Sequence, residues 1–326
     1  MPLFFDISNE WISFSFFFGI IMLFIGMAEL ARNVLKLSPE LSRKFVHVMV
    51  GILVSLAPFF LKSSTPVILL GVIFTILNYV ALKKDSLKGM HTTERVSFGT
   101  VYFPIAFTLL VIMFWERNIV LFVVAMLILA FSDTAATVVG ERVNSKHKFI
   151  LWHDKKSWPG SIAFFLMTLI VVMGAYPVYS NIINNPPLPL HHLITMAFFT
   201  AAVATVGEAV SKRGSDNLTL TLTAALGMDL YLTSMHTGTL AYMGGWFAVS
   251  MILGYGAFKL KALSVSGGFG AFLLGLFMFG MGGWHTMLPL IGFFVLSSIL
   301  SKIADRQSRK DIISSKGSQR DIVQVY

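Results

Sequence analysis

The amino-acid sequence predicts an all-α fold, a polytopic bundle of about eleven transmembrane helices with the N-terminus outside and the C-terminus cytoplasmic. Three observations predict it. Of the 326 residues, 56% are hydrophobic and only 13% are charged, where ordinary soluble domains carry roughly 25% charged residues. Uninterrupted apolar runs such as residues 119–129 need lipid or deep burial around them. Lysine and arginine recur in every second connection between such runs, which is the pattern of positive-inside topology. The same composition excludes other classes. A mean hydropathy of +0.76 is too high for disorder, and the absence of cysteine removes disulfide scaffolds, zinc-thiolate sites and cysteine nucleophiles. The net charge of +9 would suggest nucleic acid in a soluble chain; here topology accounts for it, and no nucleic-acid partner is expected.

The elements follow in order. Residues 11–30 form the first apolar run. Asp6 and Glu10 precede it in place of a basic region and no small-residue cleavage pattern follows, so it is a span and not a signal peptide. Runs 46–61, 66–82, 101–115 and 119–139 come next, then 161–178 and 193–210, which flank a proline-containing outer loop without a single Asp, Glu, Lys or Arg. Runs 218–232, 240–258, 263–281 and 287–303 complete the set. Several fall short of the roughly 17–25 residues of a full span, which predicts tilted pairs or half-helices. Arg32, Lys36, Arg43 and Lys44 follow the first run, Lys83, Lys84, Lys88 and Arg95 the third, and Arg142, Lys146, Lys148, Lys155 and Lys156 the fifth. Lys212 and Arg213, Lys259 and Lys261, and the basic tail continue the alternation, and only Lys62 and Arg117 fall in the other connections. Chemistry on charged substrates is therefore expected at the cytoplasmic side.

Ionisable residues inside apolar runs cost about 2.5 kcal/mol or more near the bilayer centre and need partners. Glu29 has Arg32 three residues on and reads as a helix-end pair. Asp133 differs, because it sits in the small-residue stretch from Ser132 to Gly140, which permits close approach of backbone or ligand. After it comes a connection rich in anion-binding groups: Arg142, Lys146, His147, Lys148, His153, Lys155, Lys156, Ser157, Gly160 and Ser161. Gly160-Ser161 opens the next helix, whose amides face a phosphate with partial positive charge. With Asp133 available for Mg²⁺, the combination points to a nucleotide-phosphate site. Two further cytoplasmic patches join it, one with Arg43, Lys44, His47 and Gly51, the other with Glu208, Asp216 and Asn217. Judged alone, Arg43-Lys44 is an ordinary membrane anchor, His47 a helix-end histidine and Asp216-Asn217 a helix cap.

Taken together and in this order, the patches resemble the CTP-dependent polyprenol kinases: dolichol kinase and, more closely, phytol and farnesol kinase. The Arg-Lys-x-x-His-x-x-x-Gly segment is matched by Arg43, Lys44, His47 and Gly51. An Arg followed by Ser and an aromatic-Pro step looks like Arg95, Ser97, Phe103 and Pro104. The Asp-x-x-Ala stretch with its closing Lys-Ser-x-x-Gly-Ser maps onto Asp133, Ala136, Gly140, Lys156, Ser157, Gly160 and Ser161, and the Glu with Asp-Asn onto Glu208, Asp216 and Asn217. Ser132, Asn144 and Pro159 depart from the usual Gly, Gly and acidic residue. The end of the chain, with Ser264, Ser266, Gly267-Gly268, Gly282-Gly283-Trp284 and residues 316–325, is similar to the start of the membrane family that includes phytyl-phosphate kinase. This divides the chain into a kinase-like domain, residues 1–235, and the beginning of a second module, residues 236–326, as in a truncated fusion.

The resemblance implies transfer of the γ-phosphate of CTP to a long isoprenoid alcohol at the cytoplasmic face. Asp133 with Asp216 or Glu208 would hold Mg²⁺. Lys155, Lys156, Ser157, Gly160 and Ser161 would bind phosphate oxygens; Arg43, Lys44 and Arg95 would clamp the triphosphate, with Asn217 as a further nucleotide contact. His47 or a carboxylate would accept the alcohol proton, and the Phe- and Met-rich helices would hold the tail among membrane lipids. The alternatives are a CTP:phosphatidate cytidylyltransferase, which transfers CMP, and a noncatalytic or transport protein with Glu29, Asp133 and Glu208 on an ion path. The lack of a transit peptide and of cysteine points to a bacterial cell membrane.

Overall fold

The computed structural model describes residues 9–36, 38–83, 98–143, 148–150 and 155–308. Its helices are α1 (Glu10–Leu35), α2 (Pro39–Ser55), α3 (Ser64–Lys83), α4 (Gly99–Phe114), α5 (Ile119–Glu141), α6 (Trp158–Ile182), α7 (Leu190–Ala209), α8 (Asp216–His236), α9 (Leu240–Lys259) and α10 (Val265–Ser308). Each of the eleven apolar runs is mainly helical; run 46–61 leaves α2 at Ser55 and ends around a short 3-10 turn at Ala57–Phe59, and the last two lie within α10. Among the described residues, eight helical stretches are long and apolar enough to cross a membrane. Of the expected spans, α4 is shorter, with 16 residues, and α8 carries Asp229 and the polar Thr219, Thr221 and Thr223. The connection before α6 holds what the apolar pattern does not reveal: an antiparallel ribbon of β1 (Lys148–Ile150) and β2 (Lys155–Ser157), with Phe149 opposite Lys156.

The chain forms two compact units, residues 1–228 and 229–326. In the first, α5 is the central helix, contacted by α2, α4 and α6. From Ile119 to Phe131 its sequence is apolar on every face, so no side of that stretch has to meet water, and Val120 through Met126 are at most 1% exposed. Glycines set the closest approaches. A Cβ at Gly51 of α2 would lie 2.6 Å from that of Ala130 in α5, and one at Gly160 of α6 would lie 2.9 Å from the carbonyl oxygen of Ala136. The first unit is therefore assembled by helix contacts of the kind that small residues permit in membranes.

In the second unit, α9 and α10 pack with Gly254 against Gly268, and Trp246 stacks on Phe279 at 3.7 Å between ring centroids and 9° between planes. The helix α10 breaks direction at Gly283, where φ is 65° and ψ is −173°. That conformation is open essentially to glycine alone.

Candidate active site

The first unit gathers its buried charges in one cluster. Lys44 lies one turn before His47 and two turns before Gly51, so all three share the face of α2 that meets α5. Because Gly51 lets the two helices touch, Lys44 Nζ reaches Asp133 Oδ2 at 2.6 Å. His47 Nε2 donates to the Leu129 carbonyl oxygen at 3.0 Å and stands 3.5 Å from Asp133 Oδ2. A carbonyl only accepts, so Nε2 carries the hydrogen and Nδ1 of the neutral ring is left with its lone pair. The imidazole meets Phe103 of α4 in a T-shaped contact, with ring centroids 5.2 Å apart.

The other half of the cluster is centred on Lys156 of β2. Its ammonium pairs with Glu208 at the end of α7 and lies 3.6 Å from Asp216 at the start of α8. Burial works against the charge on Lys156, but Glu208 and Asp216 outweigh it, with Asp133 adding to their effect, and the amine's pKa is raised above the ordinary lysine range. Thr219 ties α8 to α7 by donating to the Gly207 carbonyl at 2.8 Å. The turn between them passes through Arg213 and Gly214 with φ of 49° and 86°, and the Arg213 carbonyl accepts from Phe98 N at the start of α4.

The start of α6 is fixed by a cap and by close packing. Ser157 Oγ is the helix cap and accepts from Gly160 N at 3.1 Å. Pro159 has no N–H to offer and is well suited to the first turn. Gly160 is accounted for by its packing against Ala136 and Gly140. Capping and packing have thus used the amide of Gly160, while the departure at Ser132 is explained by a buried hydrogen bond that it accepts from Thr168 Oγ1 at 3.0 Å.

Sequence neighbours that were read as units are split by the fold. Lys44 and Asp216 belong to the ionic cluster, whereas Arg43 and Asn217 line an adjoining apolar cavity. His47 takes part in both. Asn217 donates through Nδ2 to the Gly99 carbonyl at 2.7 Å, and Asn78 to that of Thr100 at 3.0 Å. Asn78 was missed in the sequence, although a lone Asn in the apolar run 66–82 was a readable signal. Glu29, by contrast, pairs with Arg32 at 2.7 Å as its spacing predicts and stays apart from the cluster. Arg95, Lys146, His147, His153, Asn144 and the segment 316–325 lie outside the described residues; Lys155 is the first residue of β2 and Ser161 lies in the first turn of α6.

Among the described residues, no three His, Asp or Glu side chains are already grouped as a metal site. The donor set nevertheless suits a cation. Three carboxylates, Asp133, Glu208 and Asp216, lie around two ammonium groups, Lys44 and Lys156. Glu208 Oε2 is buried without a hydrogen-bond partner, and an orphaned anionic oxygen of this kind needs a ligand or a cation beside it.

A membrane-embedded α-helical fold with a buried ionic cluster is the setting into which comparison with known proteins brings a family. Residues 3–213, well over half of the chain, match the family described as "Cytidylyltransferase family", and the chain belongs to that family. Residues 248–326 match a second family, described as "Integral membrane protein DUF92". The chain is similar to a protein named "Phytol kinase" from Synechocystis sp., at 28% identity over 216 residues, covering 64% of this chain and 88% of that protein. It is similar to "Probable phytol kinase 2, chloroplastic" of Glycine max, at 27% over 206 residues, 61% of this chain and 68% of that one. "Phytol kinase 1, chloroplastic" of Arabidopsis thaliana is 24% identical over 213 residues, again 61% and 68% of the two chains. No solved structure matches the chain.

Proposed function

We propose that the protein is a CTP-dependent kinase that phosphorylates a long-chain isoprenoid alcohol, such as phytol or geranylgeraniol, at the cytoplasmic face of a bacterial cell membrane, with its N-terminus outside. The observation that carries the reading is the junction at His47 between a buried ionic cluster and an apolar cavity. A lipid alcohol and a nucleotide triphosphate are opposite in polarity, and transfer between them needs adjoining polar and apolar chambers. Names of the similar proteins point the same way. Residues 1–235 carry the reaction and residues 236–326 form a second module.

In the reaction, the alcohol O–H bond breaks, its oxygen bonds to the γ-phosphorus, and the bond from that phosphorus to the β,γ-bridging oxygen breaks to release CDP. Phosphoryl transfer asks chiefly for positioning and charge neutralisation. Lys44 and Lys156, now held by carboxylates, turn to the phosphate oxygens, assisted by Lys155 and Arg95. Ser157 and Gly160 hold the ribbon against α6, fixing Lys156 beside the phosphates, and Ser161 flanks them. Arg43 and Asn217 bound the passage between nucleotide and alcohol. His47 takes the alcohol proton at Nδ1, with Nε2 fixed by Leu129 and Asp133. Asp133, Glu208 and Asp216 would hold Mg²⁺, which when bound supplies charge neutralisation on the phosphates.

The family description favours one second reading, transfer of CMP to phosphatidate. Purified protein in liposomes with Mg²⁺ and either a prenol or phosphatidate, supplied with CTP labelled at the γ or the α phosphate, separates the two. Gamma label in the prenol is the expected result. Alpha label in phosphatidate would replace the kinase with the cytidylyltransferase, and no label from either would overturn both.

A further inference from the structure

The geometry points to the cavity bounded by α1, α2, α3 and α4 as the binding site for the isoprenoid tail, entered hydroxyl-last so that the alcohol stops at His47. The inference rests on the prenol-kinase reading above. The cavity walls are apolar along most of their length, with Ile25, Val50, Val54, Leu70, Phe74 and Phe107 among them.

Polar side chains are confined to one end. Arg43 and His47 come from the first turns of α2, while Asn78 and Asn217 are pinned to consecutive carbonyls, Thr100 and Gly99, at the start of α4. Seven residues of α2 separate His47 from Val54, which at the helical rise is a depth of about 10 Å. Seven residues from Asn78 along α3, that helix and α4 approach closely, and a Cβ at Gly71 would lie 2.9 Å from the ring of Phe107. A chamber of this form takes one apolar chain with a single small polar head. Because His47 is also 3.5 Å from Asp133, that head is the group to be modified. The depth is shorter than a long prenol, so Val54 and Leu70 decide how much tail is buried before it must bend or leave between helices.

The test uses the full chain in liposomes. Rates with geraniol, farnesol, geranylgeraniol and phytol are compared between the unaltered protein, Val54→Phe and Ile25→Trp. A bulky ring in the chamber is expected to raise KM for the two longest alcohols at least about tenfold while changing that for geraniol less than about threefold. Ile25 is half-buried, so Ile25→Trp keeps the test open should Val54→Phe not fold. Independently of turnover, a photoreactive farnesol analogue is expected to label peptides from α1 to α4, with labelling suppressed by excess geranylgeraniol but not by phosphatidylglycerol. Equal effects on all alcohols, label confined to other helices, or suppression by the phospholipid would each overturn the assignment. If the unaltered protein phosphorylates no alcohol, the kinase reading falls, and the labelling still decides the cavity.

Discussion

The crossing of α2 with α5 and the crossing of α9 with α10 use the same device for different ends. In each, a glycine removes the side chain that would hold two helices apart, Gly51 against Ala130 in one and Gly254 against Gly268 in the other. One turn or two from Gly51 lie His47 and Lys44, which the contact brings onto Leu129 and Asp133. Two turns from Gly254 lies Trp246, which stacks on Phe279, with Ser250 between them facing Gly275. Close helix approach is a general solution to packing in lipid. Chemistry depends on which residues the approach carries with it.

The largest effect is expected from Asp133→Asn, which keeps the shape of the side chain but removes the charge shared by Lys44 and His47. Labelled-CTP assays should show a loss of about a thousandfold or more, as when a charge-stabilising group is taken from a transfer site, while membrane insertion and the thermal melt persist. Retained activity would remove Asp133 from the site and leave the α2–α5 crossing as packing alone.

Next comes the Lys156–Glu208 pair. Lys156→Met leaves the buried Glu208 and the half-buried Asp216 without their common cation, and breaking a buried pair such as Lys156–Glu208 costs about 3–5 kcal/mol. Combining Lys156→Met with Glu208→Gln should recover much of that stability in denaturation curves and none of the activity. Recovery of both would mean that the cluster is structural.

Glycine replacements sharpen the contrast directly. Gly51→Leu and Gly254→Leu should each cost about 1–3 kcal/mol through overpacking, read as a lower unfolding midpoint. At a temperature where both variants remain folded, only Gly51→Leu should lower kcat, because only there does the displaced helix carry Lys44 and His47. The smallest effect concerns pH. The raised pKa of Lys156 contributes stability that is fully present below the ordinary lysine pKa and is lost only as pH rises through the raised value. From about pH 8 to about pH 10, the melt should therefore show no step that Lys156→Met abolishes.

Helix positions were legible because lipid solvation writes itself into long apolar runs, and each run is mainly helical in the structure. The Glu29–Arg32 pair was legible too, since three residues on a helix bring side chains together. The ribbon before α6 was not, because three-residue strands rich in lysine leave no periodicity to detect. Gly160 and Ser157 read as parts of a phosphate site; that they also serve as a helix contact and a cap was not legible, because these roles draw on the same residue types.

By itself the sequence determined a helical membrane protein whose ionisable groups collect near the ends of certain helices, since the cost of a charge in lipid allows few other places. Only the tertiary structure decided which charges meet. Lys44 and Asp133 are 89 residues apart and Lys156 and Glu208 are 52 apart, distances over which no local rule applies. It also decided that neighbours Arg43 and Lys44, like Asp216 and Asn217, face different chambers. The reason is geometric: consecutive residues on a helix point about a quarter-turn or more apart, and the helices packed around them determine what each one meets.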